Sequence, residues 1–111
     1  MRLASTMGAR LFRNHVGLAD HRDPDGGQRR VRHGLAPGSS DLIGWTADGR
    51  FLSIEVKRPG WRPAPLWLAS RQAAWLRAVA SSGGCAGVAT SLDDAGQIIA
   101  GTSHGAMPPS A

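Results

Sequence analysis

The segment DLIGWTADGRFLSIEVKRPG, residues 41–60, constrains the fold of this chain more than any other stretch. Two runs rich in β-branched and aromatic residues flank a short turn sequence, which predicts a β-hairpin. Asp41 opens the first strand, and Glu55 and Lys57 lie in the second. Burying charged side chains in a small sheet is costly unless each charge is paired or holds a metal ion. The pairing of the two strands therefore decides what these three residues can do.

The length of the turn determines which residues face each other across this hairpin. A two-residue turn over residues 48–49 would place Asp41 opposite Val56 and would point Glu55 to the other face. A three-residue loop over residues 47–49 would place Asp41 opposite Glu55, with a glycine at the left-handed position that such loops favour. Directly opposite residues share one face of an antiparallel pair, so only the longer loop brings the two carboxylates together.

The apolar pattern favours the three-residue loop. In that register one face is uniformly apolar, whereas the other is aromatic beside the turn and charged at its far end. A shift by one residue would mix the two sets. The apolar face would carry Leu42, Leu52, Ile54 and Val56, and the mixed face would carry Asp41, Ile43, Trp45, Phe51, Ser53, Glu55 and Lys57. We therefore predict a core on the first face and two adjacent carboxylates on the second.

Two adjacent carboxylates repel each other, and a hard divalent cation such as Mg²⁺ relieves the repulsion through oxygen ligands. Such a cation also binds phosphate oxygens and activates water. Lys57, one step beyond Glu55, would then position the nucleophile or offset charge in the transition state. The alternative interpretation is a structural salt bridge between Lys57 and either carboxylate, because charged residues are common where strands end.

Composition singles out the same residues. The 111-residue chain contains twelve Arg but one Lys, and seven Asp but one Glu. The single Glu and the single Lys are Glu55 and Lys57, which indicates a site that needs their particular chemistry. The formal charge of +5, with seven Arg against three Asp in residues 1–34, favours a polyanionic partner such as nucleic acid. The alternative is ordinary solvated surface charge.

The remaining pattern predicts one α/β domain over residues 1–100 and a flexible tail over residues 101–111. Ser70 is a candidate N-cap for one helix, and Ser91 opens another as the first residue of a capping box. A buried strand would lie between them, over residues 85–90. Upstream, the expected elements are a short helix within 1–8, a strand over 9–14, a loop over 17–28 and a strand or basic arm over 29–33.

The sequence also limits the compartment. The single cysteine, Cys85, precludes an intramolecular disulfide and is typical of a reducing environment. No apolar run approaches membrane-spanning length, and residues 1–12 lack the apolar core of a signal peptide. The histidines show no zinc-binding spacing. We therefore expect a soluble cytoplasmic protein.

Several segments together resemble the VRR-NUC domain of the PD-(D/E)xK nuclease superfamily, in its small stand-alone phage and bacterial form. Asp41, Glu55 and Lys57 carry the D…(E)xK signature, with Ser40 where proline is usual. The resemblance covers roughly residues 9–100. It rests on the segments LFRNHVG, RRVRHGLAPGSSDLIG, GRFLSIEVKRPG, SRQAAWL and GGCAGVATSLDDA.

This resemblance implies a restriction-endonuclease-like α/β core, in which a mixed β-sheet contains a catalytic hairpin flanked by helices. It implies a Mg²⁺- or Mn²⁺-dependent endodeoxyribonuclease that acts on branched or flapped DNA, including Holliday junctions, as a homodimer in a bacterial cell. Asp41 and Glu55 would be metal ligands together with the Val56 carbonyl. Lys57 would be the catalytic lysine, and Gln72 would match the family's helix glutamine in the catalytic site, pointing toward the carboxylates. Helical spacing independently supports Gln72, which shares a face with Trp75, Leu76 and Val79.

The chain departs from the family pattern at one point. Family members usually carry an acidic residue in the first helix, whereas the first acidic residue here is Asp20. A partner chain or a longer natural start could supply that acid, and its absence keeps a non-catalytic DNA-binding module as an alternative. A third interpretation is an α/β interaction domain with a fortuitous salt bridge. The residues expected to contact DNA phosphates are Arg13, Asn14, Arg30, Arg32, His33, Ser39 and Arg58.

Overall fold

The computed structural model describes residues 2–22 and 24–108, and these residues form an α/β domain. Four strands make a mixed sheet in which the first three are antiparallel and the last pair is parallel. A second, two-stranded sheet stands apart from it. The elements in chain order are α1 (Arg2–Thr6), β1 (Arg10–Arg13), β2 (Gly17–Arg22), β3 (Gln28–His33), β4 (Leu42–Trp45), β5 (Phe51–Val56), α2 (Pro65–Leu68), α3 (Arg71–Ser81), β6 (Cys85–Ala89) and α4 (Leu92–Ala100). The strand order in the larger sheet is β1-β4-β5-β6.

The β4–β5 hairpin has the register of the three-residue loop. Trp45 pairs with Phe51, and the Thr46 amide donates to the Arg50 carbonyl at 2.9 Å, which closes the loop. Gly49 has a φ of +86°, the left-handed conformation that this loop requires. Continuing the register past the last pair places residues 41 and 55 opposite each other. The predicted register is confirmed.

One face of β5 is apolar. Leu52 and Ile54, hereafter the apolar face, are fully buried beneath α1 and α4. They pack with Cys85 on β6 and with the inward side of α4. Val56 was expected on this core face, but it is 49% exposed because it lies at the end of the strand, beyond the cover of the helices.

The other face of β5 is equally buried, by α3. Ser53 and Glu55, hereafter the site face, are 0% and 2% exposed. The helix contributes Ala73, Leu76 and Val79 to a cluster with Val88 of β6. Helices on both sides are expected where a strand pairs in parallel with its neighbour, because the crossover helix covers the sheet. Two polar residues of the hairpin, Ser53 and Glu55, are therefore inside the protein.

The helix caps follow the sequence signals. The Ser70 hydroxyl accepts from the Ala73 amide at 3.3 Å, and Ser91 accepts from the Asp94 amide at 3.1 Å. The Asp94 carboxylate reaches back to the Thr90 amide at 2.9 Å, one residue before the cap. An Asp side chain is shorter than the Glu of a standard capping box, yet it still satisfies an amide outside the helix. The short helix α2 was not predicted within the proline-rich segment.

Residues 17–22 were predicted as loop, and this prediction is wrong. They form β2, which pairs with β3 along its whole length, from Gly17 opposite His33 to Arg22 opposite Gln28. The turn signals of this segment belong to the hairpin end, where Gly26 has a φ of +92° and the Asp25 carboxylate accepts from the Gly27 amide at 3.0 Å. A hairpin outside the main sheet does not need the alternating apolar pattern from which strands are predicted.

The segment after α4 was predicted as a flexible tail over residues 101–111; within it, residues 102–107 lie against β6, and residues 109–111 lie outside the described part of the chain. The Val88 amide donates to the His104 carbonyl at 3.1 Å, and the Ala106 amide donates to the Val88 carbonyl at 2.9 Å. Met107 is buried in the cluster below α3. The segment therefore covers the free edge of β6, which reduces the hazard of an exposed edge strand.

Candidate active site

Asp41 and Glu55 meet where β4 begins and β5 ends. The Asp41 Oδ2 atom accepts a hydrogen bond from the Val56 amide at 3.1 Å, which fixes the exposed carboxylate beside the strand end. Glu55 is buried under α3. Among the side chains that the structure describes, its Oε2 atom is one of two buried oxygens without a hydrogen-bond partner, the other being Ser40 Oγ. The pair therefore contains a carboxylate oxygen that the protein leaves unsatisfied.

The surroundings of Glu55 favour its neutral form. Burial, a hydrogen bond to Asp41 and the charge of Asp41 together raise the pKa of Glu55 to about 8, while the charge of Lys57 acts in the opposite direction. Desolvation and a second carboxylate both disfavour the ionised state of an acid. A divalent cation would remove both effects by taking the place of the proton. The orphaned oxygen and the raised pKa thus fit a cation site.

The donor set is smaller than a complete acidic cluster. The described part of the chain contains no group of three or more His, Cys, Asp or Glu side chains that could hold a metal ion. The helix α1 carries no acidic residue in its first turn or elsewhere, and it packs against α4, on the side of the sheet opposite Glu55. The acidic side chains that meet here are the two carboxylates, Asp41 and Glu55.

Lys57 is held by a group of residues that does not include the carboxylates. Its Nζ atom donates to Gln72 Oε1 at 3.1 Å and lies 5.8 Å from the centre of the Trp61 ring. Gln72 Oε1 also accepts from Trp67 Nε1 at 2.8 Å, and the Trp61 and Trp67 rings meet edge to face with centroids 4.8 Å apart. We call Lys57, Trp61, Trp67 and Gln72 the lysine cluster. Sequence spacing predicted that Gln72 points toward the carboxylates, whereas its oxygen accepts from Lys57 and Trp67, and the role of the two tryptophans was not predicted.

Asn14 holds the chain that leads into Asp41. Its side-chain amide donates to Ser39 Oγ at 2.8 Å and to the Ser40 carbonyl at 2.9 Å, and its oxygen accepts from the Leu35 amide at 3.1 Å. Its backbone amide donates to the Asp41 carbonyl at 2.8 Å. Asn14 and Ser39 were predicted as DNA contacts. Ser39 is 7% exposed and lies beneath the site, whereas Asn14 also lines the cleft that contains Arg13 and Asp41.

A family model described as the VRR-NUC domain matches residues 18–93. The chain belongs to the VRR-NUC family. The matched region contains Asp41, Glu55, Lys57 and Gln72 and begins after β1. Neither the curated proteins nor the solved structures that were searched include a significant match. Membership identifies a nuclease-type domain with DNA as its substrate class, and PD-(D/E)xK nucleases commonly use divalent metal ions.

The remaining VRR-NUC candidates for DNA contact fall into two groups. Arg13 and Arg58 are exposed, and Arg13 lines a cleft of about 400 Å³ together with Asp41 and Val56. The predicted contacts on β3 belong to a described strand, but their side chains lie outside the part of the chain that the structure describes; they are Arg30, Arg32 and His33. Arg13 is thus the predicted arginine that the cleft brings next to a candidate metal ligand.

Two further properties of this VRR-NUC chain bear on partners. Trp45 is 50% exposed, whereas the other three tryptophans are partly buried against the core. Phe12 lies beside Trp45 with ring centroids 5.5 Å apart and is itself 53% exposed. Of the helices described, none combines the length and the apolar character needed to cross a membrane.

Proposed function

We propose that this chain is a Mg²⁺- or Mn²⁺-dependent endodeoxyribonuclease that hydrolyses phosphodiester bonds in branched DNA, such as Holliday junctions or flaps. The observation that supports it most is the buried Glu55 carboxylate with one unpartnered oxygen, placed beside Asp41 and next to the only lysine of the chain. A buried acid without full hydrogen bonding destabilises a fold, so its presence favours a ligand-binding role.

In this proposal Asp41, Glu55 and the Val56 carbonyl hold the cation. The bound cation would supply Lewis-acid activation of the phosphate and lower the pKa of a water molecule. Lys57 is the group of this chain that acts on the reacting atoms: its ammonium orients the nucleophile and balances negative charge that develops on the phosphate. Gln72 holds that ammonium at its acceptor oxygen. With two carboxylates available, the proposal requires one cation per site.

DNA would reach the site along the basic surface that precedes the hairpin. Arg13 lines the cleft that contains Asp41, and we propose Arg58, Arg30, Arg32 and His33 as further phosphate contacts. Contacts of this kind position the duplex without reading its sequence. Replacing Arg30 and Arg32 together by alanine should weaken binding to every DNA sequence and reduce the salt dependence of the affinity. Unchanged affinity and slope in the double variant would contradict this assignment.

A nuclease that cuts two strands of a junction needs two active sites, and a symmetric homodimer is the simplest assembly that supplies them. The exposed aromatic pair Phe12 and Trp45 is the surface we propose for the second copy. Sedimentation of the wild type should therefore give a dimer, and Trp45→Ser should shift it towards monomer. A monomeric wild type at micromolar concentration would contradict the dimer and leave the chemistry of the single site to be tested separately.

The proposed activity is tested by cleavage of a four-way junction, a 5′ flap and a linear duplex of matched sequence. Each substrate is incubated with Mg²⁺, with Mn²⁺ or with EDTA. We expect cleavage that requires the cation and prefers the branched substrates. Asp41→Asn and Lys57→Ala should each lose at least about a hundredfold in rate, the usual scale for removing a group that stabilises the transition state. Asp48→Asn is the matched control, because it removes a carboxylate at the other end of the same hairpin.

The outcomes separate the candidate functions. Cation-dependent cleavage that is lost in both site variants and kept in the control supports the nuclease. Junction binding without cleavage under any cation supports the non-catalytic DNA-binding module, and the small donor set of two carboxylates is the observation that favours this second candidate. An absence of both binding and cleavage would leave an interaction domain of the same fold. Cation binding is measured independently as a rise in melting temperature that Asp41→Asn abolishes.

A further inference from the structure

We infer that Trp67 is a positioning residue for the ammonium of Lys57, acting through the orientation of the Gln72 amide. The inference deepens the proposed function, since Lys57 is its proposed catalytic lysine. Trp67 lies on α2, Gln72 on the first turn of α3, and Lys57 directly after β5. Three separate elements therefore meet at one side-chain oxygen.

The Gln72 oxygen is the only group in this arrangement that accepts hydrogen bonds. The indole N–H of Trp67 and the ammonium of Lys57 are donors and have no acceptor atoms. Both donate to Gln72 Oε1, at 2.8 Å and 3.1 Å respectively. If the amide turned over, its NH₂ group would face two donors, and both hydrogen bonds would be lost. The indole N–H therefore holds the amide in the orientation that presents oxygen to Lys57.

A second contact leads from Lys57 to Trp67. The ammonium lies 5.8 Å from the Trp61 ring centre, within the range of a cation–π interaction. Trp61 in turn packs against Trp67 edge to face, with an interplanar angle of 83°. Trp67 thus supports both groups that hold the ammonium, one by a hydrogen bond and one by packing.

The consequence is that the lysine is ordered before substrate arrives. A lysine side chain carries about 2 kcal/mol of rotamer entropy, and an unrestrained ammonium would sample many positions. A displacement of roughly 1 Å in a reacting group can reduce a rate by about a hundredfold. Trp67 therefore contributes to the reaction without touching the reacting atoms.

The chain offers a direct test, because Lys57 is its only lysine. Incorporation of ¹³C-labelled lysine gives a single ε-methylene group whose NMR signals report on this side chain alone. In the wild type we expect two resolved ε-proton signals, shifted by the ring of Trp61. In Trp67→Phe, which removes the N–H and keeps an aromatic ring, the two signals should merge towards the position of a mobile lysine. In parallel, kcat should fall roughly tenfold to a hundredfold with KM unchanged.

Trp75→Phe is the matched control. It also removes one indole N–H bond under the sheet, the 2.9 Å bond from Trp75 Nε1 to Ser53 Oγ, but it leaves the lysine cluster intact. Its lysine signals and kcat should remain those of the wild type. Gln72→Met is the second variant, and it should merge the lysine signals even if Trp67→Phe does not fold. The double variant Trp67→Phe/Gln72→Met should lose little more kcat than Gln72→Met alone, because both substitutions remove the same support of the Lys57 ammonium.

The inference is overturned if Trp67→Phe, or Gln72→Met in its place, leaves the lysine signals unchanged, or if Trp75→Phe changes them equally. It is also overturned if the signals merge while kcat stays at the wild-type value. Merged signals in a protein whose wild type cleaves no DNA would have a different meaning. In that case Trp67 does order the lysine, and it is the proposed nuclease function that fails.

Discussion

The two faces of β5 are buried to the same extent by different chemistry. Leu52 and Ile54 on the apolar face are 0% and 1% exposed, and Ser53 and Glu55 on the site face are 0% and 2% exposed. Burial of the first pair stabilises the fold through removal of apolar area from water. Burial of the second pair does not stabilise the fold in this way, because polar groups lose their hydration when they leave water. The comparison indicates that the apolar face supports the fold and the site face supports a function.

The two residues of the site face differ in how well their polar groups are hydrogen-bonded. Ser53 is satisfied by the indole N–H of Trp75, whereas one oxygen of Glu55 has no partner among the described residues. The unfavourable burial is thus confined to the residue next to Asp41. An apolar residue at this position would cost less stability than the buried glutamate, so its presence supports the proposed cation-binding role.

The largest effect should come from the apolar face. Ile54→Ala removes several buried methyl and methylene groups from a site that α4 closes, and should lower the free energy of unfolding by about 2–5 kcal/mol. Ile54→Val is the control and should cost about 0.5–1.5 kcal/mol. Both are measured by urea unfolding monitored by tryptophan fluorescence. A loss below about 1 kcal/mol for the alanine variant would mean that this face is not the core that supports the fold.

On the site face, we expect a substitution of Glu55 to raise the free energy of unfolding rather than lower it. The size of this gain depends on pH. The folded protein has a Glu55 pKa of about 8, against an ordinary value of 4.5. Between these values the unfolded chain releases a proton that the folded protein keeps, so the stability contributed through this group falls as pH rises. Below the lower value both states are protonated and the dependence ends. Above the upper value the folded state also ionises, and the loss is complete.

Glu55→Gln removes this titration while keeping the shape of the side chain. In EDTA, the variant should equal the wild type near pH 4 and exceed it above pH 8, by about 1–3 kcal/mol for a buried group without a full set of partners. The measurement is urea unfolding at a series of pH values. Addition of Mg²⁺ at pH 8 should stabilise the wild type and leave the variant unchanged. A wild type that gains stability with rising pH relative to Glu55→Gln would contradict the comparison.

Local signals made much of this architecture predictable. The turn glycine and the alternation of apolar residues were sufficient to predict the register of β4 and β5, and Ser70 and Ser91 marked two helix starts. These predictions succeeded because turn chemistry and capping depend on neighbours within a few residues. Strand β2 was missed because its pairing with β3 leaves no apolar alternation in the sequence. The packing of residues 102–107 on β6 is likewise a long-range contact without a local signal.

The candidate site shows the same division. The carboxylates and Lys57 were predictable from register and from their rarity in the composition. The residues that hold these side chains in place were not predictable. The hydrogen bonds from Asn14 to Ser39 and from Trp67 to Gln72 join segments that meet only in the folded protein. Asn14 was predicted as a DNA contact, and no local signal predicted the hydrogen bonds by which it also holds Ser39 and Ser40. Side chains that position others are therefore the part of a site that sequence predicts least well.

The smallest effect should come from the satisfied half of the site face. Trp75→Phe leaves the fully buried Ser53 hydroxyl without its donor and should cost about 1 kcal/mol, the usual net value of one hydrogen bond. Ser53→Ala should cost a similar amount by leaving the indole N–H unpaired. The double variant removes both partners, so its loss should be smaller than the sum of the two single losses. Urea unfolding of all three at one pH measures the difference. If the losses simply add, the bond contributes nothing to stability, and Ser53 would then resemble Glu55 as a polar group buried for a reason other than the fold.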